Sequence, residues 1–212
     1  MAASGDPVGS GIVASLNRPG GNVTGLSSSL TEAYAKRIEL LSEMLPGLAR
    51  VAVIFNMSNP SVPPQWKEVE IAARKLGMQA QLLDVRSPED LGKAFDAAKK
   101  QRAQALLVGL DGVTQANLRP IAELAAKQHL ASIYGEKEYA VAGGLIAYGA
   151  TDFSMYYRAA NFVDKIFKGA KPAELPIEQP TRFDLTINLK TAKALGLSIP
   201  HGVLIRADSV LE

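Results

Sequence analysis

Three features of this chain predict an α/β fold built on doubly wound parallel sheets. Apolar runs of four or five residues recur without alternation, as strands covered on both faces require. Amphipathic helical segments separate those runs. The connections are short, so the strand–helix order repeats and calls for right-handed crossovers in a parallel sheet.

Thr31 can cap the first central helix, whose apolar face is Tyr34, Ile38, Leu41 and Leu45 and whose end is Pro46-Gly47. Val51-Ala52-Val53-Ile54-Phe55 follows as a strand. Pro63-Pro64 opens a second helix carrying Trp66, Val69, Ala73 and Leu76, with Gly77 as its stop. A strand over 82–85 comes next. Ser87-Pro88-Glu89-Asp90 then supplies an N-cap, a proline at the first helical position and acids in the first turn. Ala105-Leu106-Leu107-Val108 is a further strand, and one helix is predicted over 115–128 on Leu118, Ile121, Leu124 and Ala125. Ser132-Ile133-Tyr134, a short helix over 136–142 and a strand over 145–148 complete five strands.

The pattern changes at Thr151. A helix over 152–168, with Met155, Ala159, Phe162, Val163 and Ile166 on its stripe, ends at Gly169. Residues 171–180 are Pro-rich and irregular, like a connector. Phe183, Leu185, Ile187 and Leu189 alternate with polar residues, which suits a strand wet on one face. A short helix to Leu195-Gly196 and the apolar stretch Val203-Leu204-Ile205 follow. Residues 1–25 offer a strand fragment, a helix over 8–16 and the turn Arg18-Pro19-Gly20-Gly21-Asn22.

Composition excludes several function classes. Lys plus Arg number 23 against 21 Asp plus Glu, and a net charge of +2 leaves no footprint for nucleic acid or an anionic membrane. There are no cysteines, hence no disulfide, thiolate metal site or cysteine nucleophile. The two histidines, His129 and His201, are isolated and support neither a metal site nor a catalytic dyad. Gly20-Gly21-Asn22-Val23-Thr24-Gly25 is neither a dinucleotide fingerprint nor a P-loop, because it follows a helix and no Lys-Ser/Thr pair closes it. It reads as a tight turn, and no cofactor is expected. No apolar run approaches a membrane span, and no charged-then-apolar leader precedes Gly5, so the sequence taken alone reads as soluble and unexported.

Open α/β sheets bind ligands at the carboxyl ends of their strands. Asn56 ends the first strand, with Ser58 and Asn59 behind it, and Asp111 follows the third. Tyr134-Gly135-Glu136 ends the fourth, with Glu138 close by, and Tyr148-Gly149 ends the fifth. These polar and aromatic groups would converge on one rim suited to a small molecule. Ser58, Asn59 and Glu136 equally suit plain N-caps. Trp66 could stack on a ligand or pack in the core, and the adjacent Tyr156 and Tyr157 must point in different directions.

Specific strings carry a family resemblance. Asp6-Pro7-Val8-Gly9-Ser10-Gly11 and Leu16-Asn17-Arg18-Pro19-Gly20-Gly21-Asn22-Val23-Thr24-Gly25 closely resemble a segment of the ABC-transporter substrate-binding family that includes aromatic amino-acid receptors. The likeness continues through Lys36-Arg37-Ile38-Glu39-Leu40-Leu41, Gly143-Gly144-Leu145-Ile146-Ala147-Tyr148-Gly149 and Ile187-Asn188-Leu189-Lys190-Thr191-Ala192-Lys193. It implies a type I periplasmic-binding fold of two lobes that close on a small polar ligand in an interlobe cleft without chemistry. Amino-acid-like or other carboxylate compounds come first as ligands. It also implies export to the periplasm and docking to the membrane permease of an ABC importer. By the resemblance Asp6 stands on the first-lobe rim and Ser27 and Ser28 at the first crossover. Asn56, Asp111 and Tyr134 would line the second-lobe wall, although Leu110-Asp111-Gly112-Val113 lacks the proline expected near that acidic loop.

The expected organisation is a complete lobe over 26–148, part of the other lobe over 1–25 and 149–185, and a tail over 186–212 assignable to either. Family members carry a further strand-helix-strand-helix set before the Asp-Pro-Val segment, so Met1-Ala2-Ala3 reads as an N-terminal truncation. A homodimer covering the stripe Met155, Ala159, Phe162 and Ile166 is the expected consequence. The alternative is an intracellular flavodoxin-like α/β sensor domain or small enzyme.

Overall fold

In the computed structural model, residues 5–28, 30–150 and 152–212 are described, with side chains for 5–28, 32–150 and 157–212. Expectations resting on Met1, Ala2, Ala3, Thr31, Met155 and Tyr156 lie outside those side chains. The elements are α1 (Leu30–Met44), β1 (Arg50–Phe55), α2 (Val62–Lys75), β2 (Gln79–Asp84), α3 (Asp90–Lys100), β3 (Ala105–Val108), α4 (Gly112–Ala116) and α5 (Leu118–Lys127). They continue with β4 (Ala131–Tyr134), α6 (Lys137–Val141), β5 (Ile146–Ala150), α7 (Asp152–Phe167), a 3-10 turn at Pro172–Glu174, β6 (Phe183–Asn188), α8 (Leu189–Ala194), α9 (His201–Leu204) and β7 (Ser209–Leu211).

The chain divides into two compact units, Met1–Glu32 with Ala150–Phe183, and Ala33–Gly149 with Asp184–Glu212. The larger holds a seven-stranded sheet in the order β2-β1-β3-β4-β5-β6-β7. Parallel pairing joins β1 to β2 and β3, β3 to β4, β4 to β5, and β6 to β7. Alternation sends Ala52 and Ile54 to one face, where they join Leu106, Val108, Phe95, Ile121 and Tyr134 in one apolar cluster. Phe55 points to the other face and meets the Tyr34 ring of α1 edge-on at 5.1 Å.

The sheet extends beyond the five strands of the predicted parallel core: β6, expected as a separate strand, and β7 both join it. The tail over 186–212 belongs to the larger unit. Asn188 N–H donates to the Leu145 carbonyl at 2.9 Å, and Asp208 N–H donates to the Leu185 carbonyl at 2.9 Å. β6 is not wet on one face: Thr186 and Asn188 are 2% and 8% exposed. Asn188 tolerates burial because its amide donates to the Ala140 carbonyl at 2.9 Å and its Oδ1 accepts from Thr191 N–H at 2.9 Å. That second bond caps α8. In the apolar stretch Val203-Leu204-Ile205, Val203 and Leu204 are helical.

The helix expected over 115–128 is two helices with a break at Asn117 (φ −114°, ψ 23°). Pro120 has no N–H for the Ala116 carbonyl and its ring crowds that oxygen. Asn117 stabilises the break by donating its Nδ2–H to the Val113 carbonyl at 2.8 Å.

In the smaller unit, residues 8–16 form consecutive turns, not a helix. Ser10 N–H reaches the Asp6 carbonyl at 3.1 Å, but Gly11 then adopts φ +72° and turns the chain aside. Phe162 of α7 is 5% exposed and packs with Leu26, Ala159 and Leu175, so the stripe expected to lie uncovered is covered at those positions. Among the described residues of α7, Ile166 of that stripe is exposed as expected, and Tyr157, Val163 and Phe167 are exposed beside it.

Candidate functional site

Strand order reverses between β1 and β3, because β1 is flanked by β2 on one side and β3 on the other. The carboxyl ends of two strands that diverge in this way leave a crevice, the usual ligand position of an open α/β sheet. Asn56 and Asp111 meet there. Asn56 Nδ2 donates to Asp111 Oδ1 at 3.1 Å, Asn59 Nδ2 donates to Asp111 Oδ2 at 2.9 Å, and Val113 N–H donates to Asp111 Oδ1 at 3.0 Å. Asp111 N–H donates to Thr114 Oγ1 at 3.0 Å, which completes a capping box at the start of α4. Asn56 Oδ1 accepts from the backbone N–H and the hydroxyl of Ser58, at 3.1 and 2.5 Å. Burial pushes the Asp111 carboxyl up, but the donors Asn59, Val113 and Asn56 outweigh it and hold the group below the ordinary carboxylate range. The result is a pre-organised anion on a half-buried rim.

α1 supports the same rim through two side chains on its apolar face. Leu110 N–H donates to the Tyr34 hydroxyl at 2.9 Å, which fixes the loop leading to Asp111. Arg37 Nε–H donates to the Tyr148 carbonyl at 2.8 Å. Beyond it, Gly135 and Gly149 lie so close that a Cβ on Gly149 would stand 1.8 Å from the Gly135 carbonyl oxygen. Gln115 Nε2 donates to Glu136 Oε1 at 2.6 Å, which ties the β3 and β4 loops together at the surface.

The other expected site residues separate by position. Tyr134 is 0% exposed, so its ring contributes no rim surface. It faces inward because the residue ending β4 alternates into the apolar cluster, where it stacks on Tyr139 at 4.5 Å. Glu138 is exposed on α6, and Tyr148 is half-buried in the middle of β5. Trp66 is half-buried and packs edge-on against Phe55, with ring centres 6.5 Å apart. Asp6, Ser27 and Ser28 belong to the smaller unit. Asp6 Oδ1 accepts from Gly9 N–H at 2.8 Å, and its carbonyl accepts from the Ser10 hydroxyl at 2.6 Å. Ser27 is 2% exposed and its N–H donates to the Glu178 carbonyl at 2.8 Å, whereas Ser28 is half-buried. Among the described residues, no group of three or more His, Cys, Asp or Glu side chains could hold a metal ion.

Tyr34 and Arg37 were not among the expected site residues. Their signal is helical phase: 34, 37, 38 and 41 share one face, so a charged residue at 37 falls inside an apolar stripe.

A family model described as ABC transporter substrate binding protein matches residues 1–211. The chain belongs to that family. A tyrosine-binding protein of Clostridioides difficile strain R20291 is 26% identical over 198 residues, which cover 93% of this chain and 56% of that protein. The chain therefore spans little more than half the length of this curated relative. A Streptococcus pneumoniae ABC domain solved in complex with L-Trp superposes with a TM-score of 0.90 at 24% identity, covering 100% of this chain and 72% of its own. A conserved domain protein of Vibrio cholerae gives 0.89 at 25% identity, covering 97% and 69%. The two solved structures share the α/β architecture of this chain, as does a periplasmic-binding ribose operon repressor of Lactobacillus acidophilus at a TM-score of 0.57, and the flavodoxin-like alternative gains no support from them.

The strings that carried the resemblance have structural roles in this chain. Asn188 and Thr191 of the Ile187-Asn188-Leu189-Lys190-Thr191 string fasten the tail to the β5 side of the sheet, with Thr191 Oγ1–H donating to the Gly143 carbonyl at 3.0 Å. Gly144 and Gly149 of the Gly143-to-Gly149 string occupy positions where a Cβ would meet Tyr134 Cε2 at 2.4 Å and the Gly135 oxygen at 1.8 Å. Those strings maintain the rim's backbone, whereas Asn56 and Asp111 present polar groups on it.

Proposed function

We propose that this chain is the solute-binding receptor component of an ABC importer, taking a small polar, amino-acid-like ligand at the strand-end rim of its larger unit without chemical turnover. The carrying observation is the Asn56–Asn59–Asp111 cluster at the switch point, an ionised carboxylate held by three donors and suited to a ligand ammonium group. The relatives named for tyrosine and crystallised with L-Trp support an aromatic amino acid as first choice. Glu138 and the Tyr148 side chain are further candidate contacts, as are Asp6, Ser27 and Ser28 of the smaller unit. The working partner is a membrane permease, and the place of action is outside the cytoplasm. No helix among the described residues is long and apolar enough to cross a membrane.

Calorimetry and thermal unfolding of the chain with each of the twenty amino acids test this reading. A bound amino acid at one hundred times its Kd is expected to stabilise the protein by about 2.7 kcal/mol. Absence of any shift across the set, with measurable turnover of another metabolite, would overturn it.

A homodimer belongs to the same proposal. Val163 and Phe167 of α7 are 50% and 86% exposed and lie four residues apart on one flank of the helix, with Ile166 beside them at 37%. A two-fold contact between copies would cover this flank. Light scattering should report a dimer that Phe167→Asp converts to monomer; a wild-type monomer at high concentration excludes it.

A further inference from the structure

Among the described residues, Arg37 is the only charged side chain that is buried, at 1% exposure. Its Nε–H donates to the Tyr148 carbonyl, its guanidinium carbon lies 4.6 Å over the Tyr34 ring, and Nη1 has no hydrogen-bond partner. On the far side, a Cβ at Gly135 would stand 2.8 Å from Nη2. Burial pushes the guanidinium below its ordinary value, against the opposing influence of Tyr34, Tyr148 and Glu136. One carbonyl and one aromatic face restore only part of the hydration such a group loses. A methionine could fill the same space without that penalty. What distinguishes arginine here is its reach: a rigid planar fork spans the end of β4 and the middle of β5 at once, which a lysine ammonium on a single stem does not.

We propose that Arg37 is a positioning residue for the strand-end rim, acting from α1 to hold the Gly135 end of β4 and Tyr148 of β5 in one arrangement. The two segments so held, the loop after β4 and strand β5, carry Glu136 and Tyr148, and the neighbouring Tyr34 holds the loop of Asp111. The consequence for ligand affinity rests on the proposed reading of this rim as the binding wall; the structural coupling does not.

Hydrogen exchange by mass spectrometry on the full chain tests the coupling, with wild type compared with Arg37→Lys and Arg37→Met. Segments 134–138 and 146–150 should exchange about tenfold faster in both variants, while 51–55 and 79–84 keep their wild-type rates. In the same samples, affinity for L-tyrosine or L-tryptophan should fall about tenfold, a larger effect than the change in overall stability would give. Gly135→Ala, which displaces Nη2 from the opposite side, should reproduce the local pattern more weakly and serves if the Arg37 variants fail to fold. Uniform acceleration across all segments would reduce Arg37 to general packing and overturn the proposal. Wild-type behaviour of Arg37→Lys would overturn it equally. Local loosening in a protein that binds neither amino acid would instead remove the ligand reading and leave the positioning role standing.

Discussion

Gly149→Ala is expected to destabilise the protein by about 3 kcal/mol or more, at the upper end of what a single added methyl does to a packed interior. The added Cβ would stand 1.8 Å from the Gly135 carbonyl oxygen and 2.9 Å from its carbon. Neither neighbour can rotate aside, because both are backbone. The two segments are also locked in register by the parallel pairs Ile133↔Ile146 and Tyr134↔Ala147. Relief therefore requires the β4 and β5 ends to separate. For a domain of this size the melting temperature should drop by roughly 6–12 °C. Gly92→Ala is the matched control: it sits in α3 with nothing within 4 Å of its Cβ and should stabilise by up to about 1 kcal/mol. Thermal unfolding of both variants decides the point, and a Gly149→Ala protein melting with wild type would mean that the close approach of these loops is not maintained in solution.

Asp111→Ala should cost about 2–3 kcal/mol at neutral pH, combining a lost helix cap with two side-chain amides left without an acceptor. Amino-acid affinity should fall by at least about tenfold, since the rim loses its charge as well as its shape. The Asp111 carboxyl is held below the ordinary carboxylate range, so its stabilisation is fully present above the unfolded-state pKa of about 3.9 and is lost as pH falls through the lower folded-state value. Urea unfolding at pH 7, 5 and 3 should show a constant gap between wild type and Asp111→Asn at the two higher values and a narrower one at pH 3. A gap independent of pH down to that point would show that the charge contributes nothing. The neutral amide of Asp111→Asn keeps one acceptor oxygen, so its loss at pH 7 should be smaller than that of the alanine variant.

Much of the larger unit was legible because its signals are local. Val51 to Phe55 and Ala105 to Val108 are apolar at every position and form strands buried along both faces. Gly47, Gly77 and Gly169 end helices at φ +83°, +73° and +96°, a conformation that side chains resist and glycine permits. The rim residues Asn56 and Asp111 were found by the same means, since a strand's carboxyl end can be located once the strand is known. Their mutual hydrogen bond was not, because it depends on β1 and β3 being neighbours across 55 residues of chain.

By itself the sequence determined the repeating strand–helix order, the parallel character of the central sheet, and the lack of cysteine. Tertiary structure alone decided that β6 and β7 extend the sheet, that Tyr134 turns into the core, and that Arg37 is buried beneath the rim. The reason is the range of the determining contacts. Periodicity over ten or fifteen residues reports which face of an element is apolar, but not which element covers it. Asp184, Thr186 and Asn188 alternate as though facing water, yet Asn188 is buried because Ala140 and Thr191 satisfy its amide. Helical phase puts Arg37 on an apolar face, but its partner, the Tyr148 carbonyl, lies 111 residues away and no local pattern names it.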